Sequence, residues 1–103
     1  MRRAAKIDAN QQQIVSVARA YGATVQSLAT VGNGCPDLLI GYKGHTILVE
    51  VKDGSKPLSQ RLLNEQQCIW WSNWRGGTLT LIKDVQGMEN LLRTIDGSTT
   101  QGS

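Results

Sequence analysis

The chain has 103 residues, 40% of them hydrophobic, and a net charge of +3. That is enough for one modest core and no second folded unit, and no apolar run approaches the ~20 residues of a membrane span, so a soluble, cytoplasmic protein is expected. Cys35 and Cys68 lie far apart and His45 is the sole histidine, which excludes a Cys/His zinc site and Cys/His catalysis; the small excess of basic residues fits a polyanionic partner without demanding one.

Residues 1–7 form a basic arm with Arg2, Arg3 and Lys6, open to two readings: a solvated terminus or a DNA contact. From about Asp8 to Tyr21 the spacing predicts a helix, with Ile14, Val17, Ala18 and Tyr21 on one apolar face. Asp8 with Gln11, or Asn10 with Gln13, supplies a candidate N-terminal cap, and Gly22 a stop. Gln11 continues the apolar stripe into the first turn, where a polar side chain needs a reason. Ala23 to Val31 alternates loosely and is read as the first strand. Gly32-Asn33-Gly34 then breaks it, and the flanking glycines permit close approach of another backbone, protein or nucleic acid, which makes Asn33 a candidate DNA contact.

Two strand-like arms follow, Leu38 to Tyr42 and Thr46 to Lys52, joined by Lys43-Gly44-His45, a hairpin connection. Alternation puts Glu50 and Lys52 on one face of the second arm, and antiparallel pairing about Gly44 brings Asp37 opposite them. Two carboxylates beside a lysine can hold a hard divalent cation and leave an ammonium for a phosphate or a water.

Residues 53–61 form a polar loop with Lys56 and Arg61, either solvated or lying against a nucleic-acid backbone. Asn64 with Gln67 makes a capping box that opens a helix to about Arg75, stopped by Gly76-Gly77. Gln67 extends the aromatic side formed by Trp70 or Trp71 and Trp74. In a chain without phenylalanine these tryptophans are expected in the core, with base stacking or a dimer surface as the alternatives. Thr78 to Lys83 reads as the fourth strand and Val85 to Ile95 as a terminal helix, with residues 97–103 expected to lack structure.

Pro36-Asp37, the twelve-residue interval 38–49, and Glu50-Val51-Lys52 resemble the signature of the PD-(D/E)XK nuclease superfamily. Leu63 to Gln67 with Trp71, Trp74 and Gly76 is similar to the helix pattern of its small VRR-NUC branch. The match spans about residues 8–96 and implies an α/β, restriction-endonuclease-like αβββαβ core with a mixed four-stranded sheet flanked by helices. It implies Mg²⁺ or Mn²⁺ on Asp37, Glu50 and the Val51 carbonyl, Lys52 and Gln67 as catalytic residues, and Gln11 where the family commonly has an acid. It also implies a homodimeric endonuclease, of the kind found in viruses of bacteria, that cuts branched DNA such as four-way (Holliday) junctions. The alternatives are a DNA-binding module that has lost catalysis and a protein-interaction domain built on the tryptophan helix.

Overall fold

The computed structural model describes residues 9–101. Helix α1 spans Ala9–Ala20, with Ile14 and Ala18 buried and Val17 and Tyr21 packed beside them, the predicted face. It ends in a reciprocal pair of hydrogen bonds: the Gly22 N–H donates to the Arg19 carbonyl at 2.9 Å and the Ala23 N–H to the Ala18 carbonyl at 3.0 Å, the Schellman arrangement.

Strands β1 (Thr24–Ser27), β2 (Leu38–Tyr42) and β3 (His45–Val51) form an antiparallel meander. The first strand is shorter than expected, because residues after Ser27 turn back: the Val31 N–H donates to the Leu28 carbonyl at 3.0 Å. His45 pairs with Tyr42, so the hairpin connection is only Lys43-Gly44, with φ of 47° and 83°. Two successive positive φ values define the turn whose twist matches that of the flanking strands.

After a single 3₁₀ turn at Leu58–Gln60, helix α2 (Glu65–Asn73) leads to β4 (Thr78–Ile82), which pairs parallel with β3. The sheet order is β1-β2-β3-β4, and it is mixed, as a strand–helix–strand crossover after a hairpin requires. Helix α3 runs Val85–Gln101, capped by Asp84, whose carboxylate accepts from the Gly87 N–H at 2.8 Å. It therefore continues past Ile95 and through the start of the segment expected to lack structure: once a helix is nucleated, each added residue brings its own hydrogen bond, and apolar anchoring up to Ile95 supports the polar turns beyond. None of the described helices is long and apolar enough to cross a membrane.

The two sheet faces have different work. Leu38, Ile40, Tyr42, Ile47, Val49 and Ile82 join Ile14 and Ala18 of α1 and Met88, Leu92 and Ile95 of α3 in one buried cluster. The register sets Leu38 against Val49 and Ile40 against Ile47, so alternation sends Leu39, Leu48 and Glu50 to the opposite face, where α2 lies. Ile40 is fully buried on the helix-covered face. Ile40→Ala is expected to cost about 2–5 kcal/mol in urea denaturation, the usual range for emptying such a site.

Candidate active site on the second sheet face

Pairing of Leu38 with Val49 carries Asp37 to the level of Glu50, one step beyond the end of the β2–β3 ladder. The Val51 N–H donates to Asp37 Oδ2 at 2.8 Å, which locks that carboxylate across the end of the hairpin. Glu50 follows on the same face with only 2% of its surface exposed. Its Oε2 accepts from Gln67 Nε2 at 3.0 Å, while Oε1 is buried without a hydrogen-bond partner.

Lys52 Nζ donates to Gln67 Oε1 at 2.9 Å and stands 3.9 Å from Glu50 Oε2. The Gln67 carboxamide thus bridges the lysine and the glutamate. Its orientation is fixed by the start of α2: Gln67 Oε1 also accepts from the Asn64 N–H at 2.9 Å, and Asn64 Oδ1 accepts from the Gln67 N–H at 2.9 Å. The predicted capping box is present, and the same side chain contacts Lys52 and Glu50.

Gly34 seats this helix. It has φ of +86°, and a Cβ there would stand 2.3 Å from the Gln66 carbonyl oxygen and 3.1 Å from the Gln67 nitrogen. The close backbone approach that the Gly-Asn-Gly segment permits is thus made, within the described residues, by the protein itself.

Charge at the site is unbalanced. Burial first, and then the Asp37 carboxylate, push the Glu50 carboxyl from its ordinary 4.5 up to about 8, with Lys52 pulling the other way. One lysine at 3.9 Å is worth about 4 kcal/mol at an effective dielectric near 20, whereas burying each ion costs several, so a second carboxylate tips the balance to protonation. The Cys35 thiol is also pushed up, by burial and then by Glu50 and Asp37.

The remaining candidates are more scattered. Gln11 is half-buried on α1 and lines a groove of about 330 Å³ with Arg19, Val25 and Leu38, the residue after Asp37. Lys56 is exposed, and Arg61 is turned back on its own loop, its Nε donating to the Lys56 carbonyl at 2.9 Å. Asn33 sits with φ of 57° beside α2. Arg2, Arg3 and Lys6 lie outside the described residues. Among the described residues no three His, Cys, Asp or Glu side chains gather as a metal-binding group, so any cation here relies on the two carboxyls plus backbone or water oxygen.

The tryptophans correct the sequence reading. No residue of α2 is buried; Trp70 and Trp71 are half-buried and Trp74 is 36% exposed. Ile69, Trp70, Trp71 and Trp74 spread over about 200° of a helix that advances about 100° per residue, too wide an arc to face a single core. That spread is the signal in the sequence that these side chains would not all pack inside. Asn10 was read only as a possible cap; its Nδ2 instead donates to the Lys83 carbonyl at 3.1 Å and the Lys52 carbonyl at 3.3 Å, tying the ends of β3 and β4 to α1. Nothing in its sequence neighbourhood signals this.

A solved structure described as a VRR_NUC domain is similar to this chain, with a TM-score of 0.61 and 24% identity, covering 81% of this chain and 89% of the other. The likeness shows the fold: the αβββαβ, restriction-endonuclease-like arrangement is that of a VRR_NUC domain. No protein-family model and no curated protein matches the sequence.

Two outcomes follow from this geometry. Gly34→Ala is expected to cost at least about 2 kcal/mol in urea denaturation, from the positive φ and the collision with Gln66. Between pH 4.5 and about 8 the folded Glu50 keeps a proton that the unfolded chain has released, so the unfolded state binds fewer protons and stability falls as pH rises, by up to ~1.4 kcal/mol per pH unit. Denaturation of wild type beside Glu50→Gln across that window is expected to show this slope in the wild type and its loss in the variant.

Proposed function

We propose that this chain is a divalent-cation-dependent endonuclease that hydrolyses DNA phosphodiester bonds and favours branched DNA, such as four-way junctions. The observation that carries the reading is a nearly fully buried carboxyl, Glu50, set beside Asp37 and bridged to Lys52 by Gln67, on the fold of a VRR_NUC domain. A merely structural hairpin gains nothing by burying one carboxyl against another.

The donor set fits Mg²⁺ or Mn²⁺. Asp37 and Glu50 offer hard oxygens, Glu50 Oε1 is buried and unpartnered, and positive charge between them would relieve the repulsion that holds a proton on Glu50. The Val51 carbonyl is the third ligand in this reading: the N–H and C=O of a strand residue point to the same edge, and the Val51 N–H points to Asp37. When bound, such a cation polarises a phosphoryl oxygen and makes water acidic enough to attack at neutral pH.

The chain's own residues do the rest. Lys52 presents its ammonium to the charge that builds on the phosphate, a contact that strengthens as the reaction proceeds. Gln67 accepts from Lys52 and donates to Glu50, which holds the ammonium 3.9 Å from the carboxylate instead of in direct contact. Gln11, in the groove that ends at Leu38, is neutral where an acid would add negative charge, so in this reading the chain relies on Asp37 and Glu50. Lys56, Arg61 and Asn33, with Arg2, Arg3 and Lys6, hold the DNA backbone, and two copies of the chain act on the two strands of a junction.

Labelled four-way junction, flap and linear duplex, incubated with Mg²⁺, Mn²⁺ or EDTA, test this directly. Cation-dependent cutting, stronger on the branched substrates than on linear duplex and reduced at least about 100-fold by Asp37→Ala or Lys52→Ala, is expected. Folded protein that binds DNA in a salt-sensitive way but cuts nothing would instead be a binding module, and Gln11→Glu would then show whether one missing carboxylate is the reason.

A further inference from the structure

The α2 face that the core does not use forms a groove of about 310 Å³, lined by Asn33, Ile69, Trp70, Asn73 and Trp74. Trp70 and Trp74 stack with centroids 5.1 Å apart and planes 16° from parallel. The pair is held rigidly: the Trp74 indole N–H donates to the Gly77 carbonyl at 2.8 Å, and Gly76 lies so close to the ring that a Cβ would meet it at 2.3 Å. Ile69 is 55% exposed beside them. Exposed, pre-ordered aromatic surface is unfavourable in water and marks a binding face.

The polar lining selects the occupant. The side-chain amides of Asn33 and Asn73 make no hydrogen bond among the described residues, so an apolar partner covering the groove would strand their donors and acceptors. A nucleobase has a π face for the indoles and a donor and acceptor edge for the amides. No carboxylate lines the groove, and Arg75, next in sequence to the lining residue Trp74, holds its guanidinium by the end of α2, Nη1 donating to the Ser72 carbonyl at 3.0 Å and the Trp74 carbonyl at 3.2 Å. That is the charge a phosphodiester strand requires.

Chain connectivity places the groove near the candidate active site. Asn33 precedes Gly34, whose backbone packs on Gln66 and Gln67. Trp70 to Asn73 follow Gln67 along α2 by about 5–9 Å at 1.5 Å per residue, or roughly one to three nucleotides at about 3.4 Å each.

We propose that this groove takes one unpaired base of a DNA strand, roughly one to three nucleotides from the scissile phosphate. The proposal deepens the nuclease reading and rests on it for that position: the preferred substrate then has unpaired nucleotides near the cut, as in a flap or gap.

The test is fluorescence anisotropy in EDTA with labelled oligo-dT, a flap and a fully paired duplex, using wild type, Trp70→Leu and the exposed double variant Asn33→Ala/Asn73→Ala, with folding checked by thermal denaturation. Expected are quenching of wild-type tryptophan emission by oligo-dT and a 5- to 100-fold loss of oligo-dT and flap affinity in Trp70→Leu, so that the flap-to-duplex affinity ratio falls towards one. If Trp70→Leu does not fold, the double asparagine variant carries the test through the same ratio. An unchanged ratio overturns the proposal. So does a Trp70→Leu variant that only turns a dimer into a monomer in sedimentation, since the face would then belong to a second copy. Wild type that quenches with oligo-dT yet cuts nothing overturns the nuclease reading and leaves the base site standing.

Discussion

The carboxamide of Gln67 joins a lysine, a buried glutamate and the start of a helix. Its oxygen accepts from the Lys52 ammonium and from the Asn64 backbone, and its nitrogen donates to buried Glu50. The same side chain therefore caps a helix, separates a lysine from a glutamate and ties α2 to the sheet. An acid here would set another carboxyl against Glu50 and Asp37, and an apolar residue would remove the bonds that space Lys52 from Glu50.

This bridge matters because α2 has little else to hold it. The core lies on the other face of the sheet, between β-strands and α1 and α3, and no residue of α2 is buried. Gly34 against Gln66, the capping box and the Gln67 bonds stand in for the hydrophobic anchoring that the other helices have. Stability and chemistry are thus divided between the two faces. One is closed by apolar packing; the other is left with polar groups whose balance responds to pH and charge.

Glu50 shows what the division costs. Desolvation and a neighbouring carboxylate oppose its ionisation, and Lys52 offsets only part of that. The strain is tolerable because the opposite face of β2 and β3 is well packed through Ile40, Ile47 and Val49. Buried beside a second carboxylate, Glu50 keeps its proton to about pH 8, which a balanced ion pair would not do.

Much of this was legible in the residues alone, for local reasons. Alternation about the Lys43-Gly44 turn set the hairpin register, and with it the meeting of Asp37, Glu50 and Lys52; the spacing of Asn64 and Gln67 announced a cap; and the strand–helix–strand order required a parallel β4. These depend on periodicity and turn chemistry, which act over a few residues. Which surface each helix would find depended on contacts across the chain. The tryptophans, expected inside for their size, remain largely on the surface because α1 and α3 already fill the one buried face. Asn10 reaching the carbonyls of Lys52 and Lys83, Gly34 making room for Gln66, and the Gln67 bridge between a cap and a charge pair all join residues distant in sequence. Such contacts carry no periodic mark, so only packing of the whole chain decides them.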